Sequence, residues 1–107
     1  MSPAGRVLGA ALALGDGSVV LRVSAPLDPR SVRPDTVRVL DAHGPVPGSA
    51  RLSGDGRVVV WRPLRSLRDR AIHFVVTQGL RDRRDRPLET HWSRFVPGGR
   101  AEPSTAP

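Results

Sequence analysis

The sequence predicts an all-β sandwich of about seven strands in two antiparallel sheets. Three observations carry that reading. Short apolar or alternating runs recur along the chain, clusters of Gly, Pro, Asp and Ser separate them, and no amphipathic helix of useful length lies between.

The runs take their places in order. Arg6 to Leu14 is the first, and Gly15-Asp16-Gly17-Ser18 after it suits a hairpin. In Val19-Val20-Leu21-Arg22-Val23-Ser24 the apolar residues Val19, Leu21 and Val23 alternate with others, the period of a half-buried strand. Pro26 and Pro29 stop the pairing because proline has no N–H to donate. Asp28-Pro29-Arg30-Ser31-Val32 reads as one helical turn, with Asp28 as N-cap and Pro29 at the first position. Thr36 to Asp41 is the third strand, with Val37 and Val39 inward and Arg38 outward. Gly44-Pro45-Val46-Pro47-Gly48 is read as a break before a short fourth strand at Ala50 and Leu52. Ser53-Gly54-Asp55-Gly56 repeats the hairpin signal. The dense β-forming run Val58-Val59-Val60-Trp61 follows and ends at Pro63. Leu64 to Arg70 is a connection whose two leucines are expected to close one end of the core. Ile72 to Thr77 is the sixth strand, Gly79 to Pro87 a charged loop, and Glu89 to Val96 the seventh strand, with Trp92 and Phe95. The expected core includes Leu21, Val23, Val39, Val59, Trp61, Val75 and Phe95.

A chain of 107 residues is one domain. It should bury roughly two-thirds of its unfolded surface. Cysteine is absent, so neither disulfides nor thiolate chemistry contribute. No apolar run is long enough to cross a membrane as a helix. The apolar stretch after Arg6 has a second reading, as the h-region of a signal peptide, but it is short and interrupted by Gly9. Lys+Arg totals 17 against 10 acidic residues, a net charge of +7. Every one of those bases is arginine. Such a balance suits an anion-binding surface. It also suits a GC-rich genome, a reading that the 11 glycines and 11 prolines favour.

Three segments, in order, resemble the SbsA-type bacterial Ig-like domain. Val20 to Val32, with its Ser-Ala-Pro-Leu-Asp-Pro-Arg-Ser-Val, resembles that family's strand and corner. Ser53 to Leu64, with Asp55-Gly56-Arg57 leading into Val60-Trp61-Arg62-Pro63, is similar to its hairpin strand. Gly79-Leu80-Arg81-Asp82 through Pro87-Leu88, ending at Trp92 to Phe95, resembles its close. The family's loop glycine is Asp85 here and its asparagine is Arg86; aspartate tolerates the left-handed conformation this turn needs. The tyrosine that usually starts the sixth strand falls on His73, or on Phe74 if the register slips by one.

The resemblance implies an immunoglobulin-like sandwich over 6–96 after an N-terminal extension over 1–5, and the polar composition of 97–107 predicts a flexible tail. The resemblance makes Arg6 to Leu14 the first strand. It also implies a non-catalytic structural, spacer or adhesion module of a bacterial envelope or secreted protein. Other domains or proteins of the envelope would be its partners; it would be monomeric and take no cofactor.

The residues themselves support no reaction. His43, His73 and His91 match no metal-ligand spacing. Asp82 and Asp85 lie among four arginines that repel a divalent cation. Ser24, Ser31, Ser53 and Ser66 sit beside turn residues, where hydroxyls cap backbone groups. The candidate binding feature is basic. Arg62, Arg65, Arg68 and Arg70 are expected to share one end of the sandwich with Arg81, Arg83, Arg84 and Arg86. Those last four are the candidate anion site. The alternative function is therefore recognition of nucleic acid or an anionic polymer. Nucleic-acid modules add aromatic platforms, however, and Trp61 and Phe95 read as core.

Overall fold

The computed structural model describes residues 5–12, 17–67 and 71–97. Eight strands run through them: β1 (Val7–Leu12), β2 (Val19–Val23), β3 (Val37–Asp41), β4 (Gly44–Val46), β5 (Gly48–Leu52), β6 (Val58–Pro63), β7 (His73–Thr77) and β8 (His91–Phe95). They form two four-stranded sheets, β1-β2-β6-β5 and β4-β3-β7-β8, with antiparallel pairing throughout. The chain changes sheet after β2, after β4 and after β6. This is the strand order of an immunoglobulin sandwich with one strand added at the edge of the second sheet.

That added strand is β4, which the sequence reading treats as a break. Proline is compatible with a strand only where no partner needs its N–H. Pro45 sits on the outermost strand, opposite Leu40, so its ring costs no hydrogen bond. Pro47 follows at the crossing to β5 and its carbonyl accepts from Leu64 N at 3.0 Å.

Alternation sets the two inner faces. Leu21 pairs with Val59 and Val19 with Trp61 in the first sheet; Val39 pairs with Val75 and Val37 with Thr77 in the second. All eight are buried, and the apolar ones join Val23 in one cluster. Leu27, Leu80 and Leu88, from loops, close the cluster at one end. Each such side chain stabilises the fold by about 1.5–3 kcal/mol relative to exposure. Of the expected core, Phe95 is half-buried at its margin and the other six are buried. Leu67 packs against the core as expected, but Leu64, an odd number of residues beyond the inward Trp61, is 72% exposed.

The expected corner and second hairpin form. Arg30 N donates to Asp28 Oδ1 at 3.0 Å and a 3-10 turn follows over Pro29–Ser31. Gly56 takes φ 76° in the β5–β6 hairpin. The β1–β2 pairing supports the first strand. Residues 13–16 of the first hairpin and the tail beyond Pro97 lie outside the described residues.

Gly48 is required by packing. A Cβ there would overlap the Trp61 indole and lie 2.6 Å from the Arg62 carbonyl oxygen. Gly48→Ala should lower unfolding stability by about 1–3 kcal/mol in urea titrations. Gly54→Ala, where a Cβ meets nothing within 4 Å, should change it by less than about 0.5 kcal/mol.

Candidate functional site: the loop end and the sheet faces

Strand direction divides the arginines. β6 is six residues long, so its ends stand about 17–20 Å apart. Gly56, before β6, approaches Leu27 and Arg83, whereas Pro63 and Leu67, at and beyond its end, approach Gly17. Arg62 and Arg65 therefore lie at the opposite end from Arg81, Arg83, Arg84 and Arg86, contrary to the shared cluster expected from the sequence. Arg68 and Arg70 lie outside the described residues.

The loop holding Arg81 to Arg86 is organised by Asp82. Its carboxylate is nearly inaccessible, with 3% side-chain exposure, yet well supplied with donors. Oδ1 accepts from Arg84 N and Arg86 N, both at 2.9 Å, and Oδ2 from Arg86 Nε at 2.8 Å. The backbone N–H of Arg86, then those of Arg84 and the Arg86 guanidinium, hold the Asp82 carboxyl below its usual range against the cost of its burial. Asp85 occupies the left-handed region at φ 63°, the conformation expected where the related motif has glycine. Its carbonyl accepts from Arg81 Nη1 at 2.8 Å, and its Oδ1 lies 3.5 Å from the same nitrogen.

This end is close to electrically balanced. Segments 24–36, 53–57 and 78–90 hold seven arginines against six carboxylates. Arg30 pairs with Asp28 and Arg33 with Asp35 as well. Arg83 and Arg84 are exposed, and no ion pair is described for either side chain. Two of the four predicted site residues thus hold the loop together through Asp82 and Asp85, and two face solvent.

The strands carry the unbalanced charge. Arg22, Arg38, Arg51, Arg62 and Arg94 are exposed on the outer faces. Among the described residues the only strand carboxylate is Asp41, half-buried, whose Oδ2 lies 4.0 Å from His73 Nε2. On the outer face of the second sheet, cross-strand register sets Leu40, Phe74 and Arg94 in one row and Arg38, Val76 and Trp92 in the next. Trp92 is 65% exposed and its ring centroid lies 5.8 Å from that of Phe74, tilted by 55°. Sequence reasoning grouped Trp92 with Phe95 in one run and missed this platform. The alternation was the available signal, since Trp92 and Phe95 are an odd number of residues apart and so face opposite sides.

His73 and three of the serines serve the fold. His73, fully buried, takes the inward position that begins β7, so the register does not slip to Phe74. Its Nδ1 lies 2.9 Å from Ala71 O and its ring stacks on Phe95 at 5.4 Å. Ser24 Oγ accepts from Arg6 N at 2.9 Å, Ser31 Oγ donates to Asp28 O at 2.8 Å, and Ser53 Oγ bonds the Asp55 carboxylate. No three His, Asp or Glu residues among those described are grouped to hold a metal ion. No described helix is long and apolar enough to cross a membrane. A cleft of about 340 Å³ opens beside β4, lined by Val37, Val39, Val46, Pro47 and Trp61 with Arg38 at its rim; it contains no catalytic grouping.

The geometry defines a class: an immunoglobulin-type β-sandwich with a self-neutralised loop end and basic sheet faces. The sequence matches no family model and no curated protein. Solved structures do share the fold. The surface layer protein SbsC, domains 1–6, superposes with a TM-score of 0.77 at 20% identity over 89% of this chain and 14% of that one. The S-layer protein rSbsC(31-844) gives 0.76 at 21% identity, over 88% of this chain and 14% of that one. The N-terminal part of the bacterial S-layer protein SbsC gives 0.76 at 20% identity, over 88% of this chain and 23% of that one. The chain thus spans a small part of each structure it resembles.

Two tests follow from the loop. A group whose folded pKa is depressed stabilises the fold above its unfolded pKa, and that stability is lost as pH falls through the folded pKa. Thermal scans of the protein should therefore show melting temperature falling below the usual carboxylate range, and Asp82→Asn should melt lower at neutral pH with a shallower acid dependence. At the left-handed position, Asp85→Ala should cost about 1–2 kcal/mol more than Asp85→Gly. Urea titration of both variants measures that difference.

Proposed function

We propose that this chain is a non-catalytic structural module of a bacterial cell-envelope or secreted protein, related to the SbsA-type Ig-like domains, with its sandwich over 6–96. The observation that carries the reading is the superposition, at a TM-score of 0.77, on a domain of a multi-domain surface layer protein. The three ordered motifs agree with it, since the Pro-Leu-Asp-Pro corner, the Asp-Gly hairpin and the Asp82 loop all lie at one end of the sandwich. There they hydrogen-bond one another: Leu27 N donates to Gly56 O at 2.8 Å, Asp28 N to Arg81 O at 2.9 Å, and Arg83 N to Pro26 O at 3.1 Å. A module of this kind transmits force and spacing through a rigid core.

Its partners in this reading are other domains or proteins of the envelope. The adhesion role and recognition of nucleic acid through Arg81, Arg83, Arg84 and Arg86 have weaker support, because Arg81 and Arg86 are already engaged by aspartates.

Antibody raised against the folded chain should label intact, unpermeabilised cells of the organism that encodes it, or recognise the protein in its medium. Confinement of the antigen to the cytosolic fraction would sink the reading.

A further inference from the structure

We infer that the outer face of the β4-β3-β7-β8 sheet is a binding surface for an acidic polysaccharide. The outward strand residues of the face are apolar, apart from two arginines. Leu40, Phe74, Val76 and Trp92 form its floor, and Arg38 and Arg94 stand at opposite corners. Exposed apolar sheet faces with a tryptophan this open mark interaction sites in soluble domains. The partner must offer both an apolar surface and anions.

Sugar rings meet that requirement. A pyranose presents a face of C–H groups that lies against a mixed aliphatic and aromatic floor, while carboxylates or phosphates at the ring edge reach the guanidinium groups bidentately. Strand spacing and rise put the Cα atoms of Arg38 and Arg94 roughly 12 Å apart, a span that a linear polyanion covers within a few repeat units. Successive nucleic-acid bases need ring faces open for parallel stacking. Phe74 and Trp92 instead lean on each other at 55° and form one composite surface. A second copy of the chain would set arginine against arginine. The first sheet supplies an internal control, because its outer face carries Arg22, Arg51 and Arg62 with Val20, Val58 and Val60, and no aromatic ring.

The choice of polymer rests on the envelope reading above; the requirement for an apolar polyanion does not. Titration of the purified chain with polygalacturonate at physiological salt, followed by calorimetry, is the test. Acrylamide quenching reports on Trp92, since Trp61 is buried. The expected result is saturable binding that shields the exposed tryptophan and weakens as salt rises. Trp92→Ala and the double variant Arg38→Gln/Arg94→Gln should each weaken it at least tenfold while thermal unfolding stays cooperative. Arg51→Gln/Arg62→Gln should change it less than twofold. Fully methyl-esterified polygalacturonate should not bind. The inference is overturned by absence of binding, by equal binding of the esterified polymer, or by indifference to Trp92→Ala. Tighter binding of oligo(dT) at the same residues, or dimerisation that buries Trp92, overturns it too. Failure here leaves the envelope reading standing, whereas cytosolic confinement with intact polymer binding removes only that reading.

Discussion

Trp61 against a residue with no side chain is the contact on which the sandwich depends. The indole is the largest fully buried side chain and hangs from the middle of the first sheet. It lies against Gly48, where the chain has just crossed from the second sheet and begins β5. Any Cβ at that crossing would force β5 off β6 or the indole out of its seat, so one glycine fixes both the edge strand and the core. Pro45 just before it keeps the β4 edge of the second sheet from templating a further strand, because it offers no N–H. Core packing and edge protection thus come from the same short stretch.

The opposite end is held by a buried charge. Asp82 satisfies three N–H groups of its own loop, and the loop in turn hydrogen-bonds the corner at Pro26 and Asp28. A buried carboxylate is tolerated only when its lone pairs are used in this way. Arg86 and Arg81 are spent on that internal work, which is why an arginine-rich segment yields an end that is near neutrality. The net charge of +7 then shows itself elsewhere. Strand positions alternate in and out, and the outward ones include Arg22, Arg38, Arg51, Arg62 and Arg94 with no outward acid among the described strand residues. The faces, rather than the loops, carry the field that an anionic partner meets.

Much of this was legible in the residues alone. Period-two runs placed Val19, Leu21 and Val23, and likewise Val37 and Val39, on inner faces, because the strand repeat leaves no other way to bury them. Asp28-Pro29 and Asp55-Gly56 announced their turns because those backbones need a cap and a positive φ. Asp85 was placed as left-handed by the resemblance, whose motif carries glycine there, and aspartate tolerates that conformation. What the chain by itself could not decide was anything set by which strand lies beside which. β4 was hidden because two prolines argue against a strand until its place at the edge is known. Arg62 and Arg81 looked like neighbours until β6 was seen to run the length of the sandwich between their ends. Trp92 and Phe74 became a platform only when β7 and β8 paired in register, since a face is made by residues distant in sequence and only the tertiary structure brings them together.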